Sequence, residues 1–498
     1  MKKILIFLIL AISILPVFSQ KATYYRTEAF GSMASGDHTP FWIVNQNWGM
    51  TSLEPGNFYL RGGVFHEQQL NPECSFRAGI DLVGGNDSPY GNVWVQQLYG
   101  QLNWRVLRLD VGSREDYISP LNPSLSSGDF IQSNNSRPIP EVKISLPDFW
   151  TVPGTRDMIS LKGHFAIGKY LEDDWMKDRS QPVLENFATD VLTHHKSLFF
   201  RIGEIKKDSR QLLIGLQHYA HWGGTYHKYI KREEGWRWEI FNQSTSLEDF
   251  VRMVFAQEGS SKSSLTDQAH MAGSQWGAYF VGYDWLIQKK KVRAYMQHFF
   301  EDGSGMGFQN YRDNLLGIEY QSDQPDLLSG LVFEYVYTKQ QTGAIHFNND
   351  MQDEYQYLYK KGNGNDNYYH HVDYTQGPSY FGRTLGTPLL LSPGYNTDGS
   401  PSFKSSRILS FHLGAEGYLL PELQYRIMLT TGQSWGRYYH PFRQVKEGFS
   451  SMMELKYNFP GTADWKAKLM LGYDQGEFFG GDTFGASISI VKSGRIFK

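Results

Sequence analysis

The sequence predicts an all-β chain: a transmembrane antiparallel β-barrel of about 18 strands, with long outside loops and one short loop helix. Three observations point to it. An export signal opens the chain, period-2 alternation of apolar and polar residues recurs along the rest, and the long connections between alternating segments all fall on one side.

Lys2 and Lys3 precede an apolar run from Ile4 to Leu15, and Val17-Phe18-Ser19 supplies a cleavage pattern. Residues 1–19 therefore read as a secretory signal peptide. Gln20 and Lys21 follow it, where a lipoprotein would carry Cys. The expected mature unit is a single outer-membrane barrel domain over residues 20–498, its loops occluding the lumen. No later stretch approaches the roughly 18 apolar residues of a spanning helix. Mean hydropathy is −0.46, as expected of strands that turn one face to a polar lumen. An aromatic fraction of 15% and 50 glycines fit aromatic girdles and many turns. The one cysteine, Cys74, excludes an internal disulfide framework, and a net charge of −3 leaves no footprint for nucleic acid.

Alternation is plainest in CSFRAGIDL, where Cys74, Phe76, Ala78, Ile80 and Leu82 alternate with Ser75, Arg77, Gly79 and Asp81. The same reading places strands near 23–30, 58–66, 74–83, 93–104, 106–113, 140–147, 158–169, 196–203 and 211–218. It continues with 275–286, 291–300, 312–320, 328–339, 406–416, 422–431, 450–459, 464–473 and 483–491. Connections after even-numbered segments are short. The long ones, 31–57, 114–139, 170–195, 219–274, 340–405 and 432–449, follow odd-numbered segments, as outside loops must when both termini lie in the periplasm. Trp94, Trp104, Trp276, Trp285 and Trp465 near segment ends are expected to anchor the membrane interfaces.

One stretch breaks the period. Within Ser244 to Gly259, Leu247, Phe250, Val251, Val254 and Phe255 recur at helical spacing, with Ser246 as N-cap and Glu248 and Asp249 in the first turn. This helix is expected on or in the barrel mouth.

Chemistry-bearing motifs are weak. GQSWG at 432–436 has the spacing of a nucleophile elbow around Ser434, but RYYHPFRQ follows, which is no helix. His218, His221 and His227 lack the spacing of a metal site, and adjacent pairs such as Asp173-Asp174 do not establish the cross-site separation of a glycosidase. No enzyme, metal or cofactor is expected. The outside loops, 340–405 above all, are instead rich in aromatics among Asn, Gln, Asp, His and Arg. Flat rings with polar neighbours suit sugars, which makes Trp222, Trp236, Tyr355, Tyr368, Tyr369, His370, Tyr374, Tyr380, Arg383 and Trp435 the candidate ligand-binding residues. The plainer use of each ring is to pack loops together and plug the lumen.

TPFWIVNQNWG (39–49), LYGQLNWRVLRLDVGSRE (98–115), LNPSLSSGDFIQSNNSRPIP (121–140), LLIGLQHYAHWGG (212–224) and SYFGRTLGTP (379–388) resemble the Wzi-type capsule-assembly outer-membrane proteins. The resemblance implies an eighteen-stranded barrel occluded by its loops that acts as a lectin for capsular polysaccharide. The partners expected are capsular or another surface polysaccharide and outer-membrane lipid, with no nucleic acid, for a monomer in the cell outer membrane. The alternative is a porin-like diffusion channel for small solutes or saccharides. The charge balance of 340–405 gives no reason to favour an acidic polymer.

Overall fold

The computed structural model describes residues 21–204, 209–257, 272–288, 290–341, 366–461 and 464–497. The expected signal peptide and Tyr355 lie outside them. All eighteen expected strands are present. They are β1 (Lys21–Ala34), β2 (Gly56–Asn71), β3 (Cys74–Gly85), β4 (Val93–Trp104), β5 (Leu107–Ser113), β6 (Glu141–Thr151), β7 (Ile159–Lys169), β8 (Leu192–Ile202) and β9 (Arg210–Trp222). There follow β10 (Ser274–Ile287), β11 (Lys290–Phe300), β12 (Asn314–Ser322), β13 (Gly330–Tyr337), β14 (Ile408–Leu420), β15 (Leu423–Gly436), β16 (Pro441–Asn458), β17 (Trp465–Gln475) and β18 (Thr483–Phe497). Each pairs antiparallel with its sequence neighbours, and β1 pairs with both β2 and β18, closing the 18-stranded sheet. Closure leaves no sheet edge, as a strand structure in hydrocarbon requires.

Alternation sorts the side chains. On β3, Ile80 and Leu82 are exposed while Asp81 and Val83 are buried toward the lumen. Outward-facing Leu60, Val64, Leu98, Ile144, Phe200, Ile318, Leu469 and Ile488 extend this apolar exterior around the barrel, a surface only lipid can cover. Inside, Arg61 pairs with Asp81 and lies 2.9 Å from Glu115, and Arg293 meets Asp284 at 2.5 Å. Trp104, Trp285 and Trp465 stand outward near the short-turn ends, with Arg105 5.5 Å from the Trp104 ring centre and Lys492 5.0 Å from that of Trp465. Trp94 and Trp276 depart from the expected girdle. Strand parity turns both into the interior, where Trp276 stacks on Tyr219 at 4.7 Å.

The long connections share one end. One shrinks: 432–449 is mostly strand, because β15 and β16 stay paired through Gln433↔Glu447 and Ser434↔Lys446. Elements in the others escaped the sequence reading, besides a short ladder of Ser379–Tyr380 with Arg383–Thr384 and a 3-10 turn at Pro393–Tyr395. They are α1 (Phe41–Val44), α2 (Asp173–Val183), and a hairpin of Thr225–Arg232 with Gly235–Asn242 that adds Phe187–Thr189 as a third strand. The expected helix forms as α3 (Leu247–Val254), capped by the Ser246 side chain accepting from the Asp249 N–H.

Candidate functional site

Two outside loops interlock within the barrel. In loop 114–140 the side chains of Ser, Asn and Asp satisfy an irregular backbone removed from water: Asn122 Oδ1 accepts from the N–H groups of Ser124 and Leu125, and Asp129 Oδ1 from that of Ile131. The wall holds this loop from several strands. Glu334 on β13 accepts from the Ser126 hydroxyl and the Ser127 N–H at 2.7 and 2.6 Å, Gln297 on β11 from the Phe130 N–H at 3.0 Å, and Glu319 on β12 from Asn122 at 3.1 Å. The wall also holds α1, which donates the Phe41 N–H to Asp474 on β17 and the Trp42 indole to Thr430 on β15. The second loop, residues 366–405, lies over the first. Tyr369 donates to Phe130 O at 2.6 Å, Thr387 to Ser127 O at 2.9 Å, and Ser133 to Gly386 O at 2.7 Å.

This placement decides what the candidate residues do. Tyr368, Tyr369, Tyr374, Tyr380 and Arg383 are buried among the plug loops. Tyr374 donates to Gly223 O, Tyr368 to Asp313, and Arg383 to Thr51 O. These bonds run within the protein and hold the plug together, although Arg383 Nη1 is buried without a hydrogen-bond partner. Trp222 sits on the outer wall of the barrel beneath α3, its ring 5.4 Å from Phe250. His370 accepts from Arg437, and burial beside that guanidinium pushes it down to about 4, so the ring is neutral at pH 7. Trp435 is partly exposed, with the Lys339 ammonium 3.8 Å from its ring centre.

Trp236 alone among the described candidates is strongly exposed, at 59%. It belongs to the missed hairpin, which leaves the barrel wall at Gly223 and Gly224, both at positive φ. At Gly224 a Cβ would meet Thr189 O at 2.5 Å, so only glycine allows the bend. Pairings Tyr229↔Trp238 and Lys231↔Trp236 put four side chains on one face, where Trp236 stacks on Tyr229 at 5.4 Å and 18°. The opposite face is fixed to the plug: Tyr226 packs on Tyr374 and Lys228 lies 2.5 Å from Asp373. A flat, partly exposed aromatic surface is thus held against the outside loops.

A second external feature is a cleft of about 390 Å³ that includes Tyr395, Asn396, Lys404, Phe442, Lys446 and Glu477. Lys404 meets Asp398 at 3.1 Å and Lys446 meets Glu477 at 3.4 Å. Ser434 reaches this cleft, but its Oγ meets Ser405 Oγ at 2.5 Å and its strand runs on into a hairpin, so no nucleophile elbow forms. On the periplasmic side a polar cavity of about 860 Å³ ends on plug residues Gln46, Trp48, Pro123, Ser124 and Asn134. Each of the three spaced histidines has a hydrogen-bond partner within the protein: Tyr170 for His221, Gln275 for His218 and Thr189 for His227.

Sequence reasoning assigned plugging to loop 340–405 and named Trp236 as a candidate, but missed loop 114–140 as a plug element. A signal was present: 121–140 carries only Asp129 and Arg137 as charges among many Ser, Asn and Pro, a composition suited to burial with local hydrogen bonds.

Burial raises carboxyls that tie the plug to the rim. Glu172, which accepts from the Phe381 N–H, is pushed up to about 8, and Glu301, which accepts from the Tyr369 N–H, is pushed well above the usual range. An undocked loop would let them titrate near ~4.3. The docked state binds these protons more tightly, so its stability falls as pH rises through this window. Buried histidines such as His370 act oppositely, but that contribution is complete above about pH 7. Raising pH from 7 to 9 should therefore loosen the plug, read as faster protease cleavage within 366–405; slower cleavage at pH 9 would contradict it.

No protein-family model and no curated protein sequence matches the chain. Among solved structures, Wzi of Escherichia coli, a carbohydrate-binding outer-membrane β-barrel involved in group 1 capsule assembly, superposes with a TM-score of 0.56 at 11% identity. The match covers 94% of this chain and 83% of Wzi. OccK5 of Pseudomonas aeruginosa gives a TM-score of 0.46 at 11% identity, covering 96% and 99% of the two chains. Salmonella typhi OmpF gives 0.40 at 8% identity, covering 95% and 97%. What Wzi shares with this chain is the fold. The chain is an outer-membrane β-barrel.

Proposed function

We propose that this protein binds a surface polysaccharide without turning it over and helps to attach a capsule or similar glycan to the cell. The observation that carries the reading is the aromatic face of Tyr229, Trp236 and Trp238, braced on a plugged barrel and turned away from it. Rings of this kind bury the apolar face of a sugar while nearby polar groups pair with its hydroxyls. The fold likeness to Wzi, a carbohydrate-binding barrel, supports the same reading. A diffusion channel is the second reading, favoured by the cavity beneath the plug.

The test is retention of native surface polysaccharide by the detergent-solubilised protein. Trp236→Ala is expected to weaken retention about tenfold, since ~1.4 kcal/mol of ring contact corresponds to that factor. Because Trp236 is exposed, the barrel should fold unchanged. Undiminished retention by Trp236→Ala and Tyr229→Ala would move the site elsewhere, with the cleft at Tyr395 and Lys404 as the next candidate.

A further inference from the structure

The position of α3 is unusual for a loop helix. Strand parity turns Leu198 and Phe200 of β8, Ile214 and Leu216 of β9, and Val281 of β10 outward, and all five are exposed. Followed toward the long-loop end, the same outward rows continue into His194, His218, Ala220, Trp222 and Gln275, yet these are buried. The cover is α3. Its Phe250 ring lies 6.2 Å from that of His194 and 5.4 Å from that of Trp222, and Met253 is fully buried in this contact. The Lys196 ammonium, also outward, donates to Val254 O at the helix C-terminus. The helix is therefore clamped to the outside of the barrel wall, not seated in its mouth, and it shelters polar outward groups such as the His218–Gln275 pair, joined at 2.9 Å.

Its other stripe is far less covered among the described residues, where the Lys196 ammonium approaches it at 5.9 Å from the Phe255 ring centre. Leu247, Val251 and Phe255 recur at every fourth position and are 77%, 44% and 70% exposed. An apolar stripe of this kind on a soluble surface would be costly. Here it continues an apolar surface already turned to lipid, because Lys196, beneath the end of α3, is two residues along β8 from exposed Leu198. An amphipathic helix at this height can bury its apolar stripe at the boundary of headgroups and acyl chains.

We propose that Leu247, Val251 and Phe255 lie in the outer leaflet against its acyl chains, so that lipid completes the burial of α3 and fixes the base of the connection that also carries the aromatic hairpin. The occupant is lipid because the stripe is continuous with the barrel's lipid-facing surface on the same strands.

The test uses the mature chain carrying Cys74→Ser, with a single spin label introduced by Val251→Cys or, independently, by Phe255→Cys. Leu216→Cys serves as the lipid-belt reference and Thr397→Cys, at an exposed residue that also lines the external cleft, as the outer-cleft reference. In phosphatidylcholine vesicles, labels at 251 and 255 should collide with oxygen and lose collisions with a water-soluble nickel chelate, as the label at 216 does. Nickel collisions matching those at 397 would overturn the proposal. So would protection from both reagents, which would mean that protein, either this chain's own loop or a second copy, covers the stripe.

Discussion

Excising both plug loops, residues 121–136 and 366–405, and bridging each gap with a short Gly-Ser linker is expected to turn a closed barrel into a conducting pore. A barrel of this strand number encloses an aqueous lumen unless something fills it. Here the filling is held by Glu334, Glu319 and Gln297 from the wall and by Tyr369, Ser133 and Thr387 between the loops. Removing one loop leaves the other anchored, so the double excision should have the larger effect. Strand pairing does not use these loops, and the wall groups they leave behind gain water as a partner. The variant should therefore still assemble, and planar-bilayer recordings should show large stable steps that the parent lacks. Silence from an assembled variant would mean that α1 and its flanking loop suffice to close the lumen. Large steps from the parent itself would favour the diffusion-channel reading.

Ile80→Arg is expected to give the largest loss of stability from a single substitution on the wall. Ile80 is 45% exposed between inward Gly79 and Asp81, in the middle of β3, paired with Val64 on one side and Leu98 on the other. A guanidinium there must enter hydrocarbon, at a cost of ~2–4 kcal/mol near the midplane and less toward the interfaces. Unfolding in denaturant and the fraction of heat-modifiable barrel on gels should both register the loss. Thr397→Arg, in the external cleft, should leave both unchanged. A neutral outcome for Ile80→Arg would mean that this face of β3 is covered by protein and not by lipid.

The barrel was legible because its rule is local. Lipid outside and water or plug inside impose a two-residue period on every strand, and one residue such as Ile80 beside Asp81 already states which face is which. The sidedness of the loops followed from connection length, and the α3 cap from Ser246 and Asp249. Function at the level of single residues was not legible, because aromatic residues in an outside loop have the same composition whether they face a sugar or a neighbouring loop. Tyr369 and Trp236 look alike in the sequence. The first is buried and donates to Phe130 O, more than two hundred positions away; the second is exposed on a hairpin that the sequence reading assigned to loop. Helical spacing likewise identified α3 but not which stripe packs. Met253 and Phe250 meet the wall while Leu247, Val251 and most of Phe255 stay exposed, because the rim of β8 and β9 offers His194 and Trp222 on its outer side. The closed barrel, its two faces and the side that carries the long loops all follow from the burial preference of neighbouring residues, which the chain states locally. Which rings are buried in the plug and which stay exposed depends on contacts between loops far apart in the chain, and so emerges only once the loops have packed.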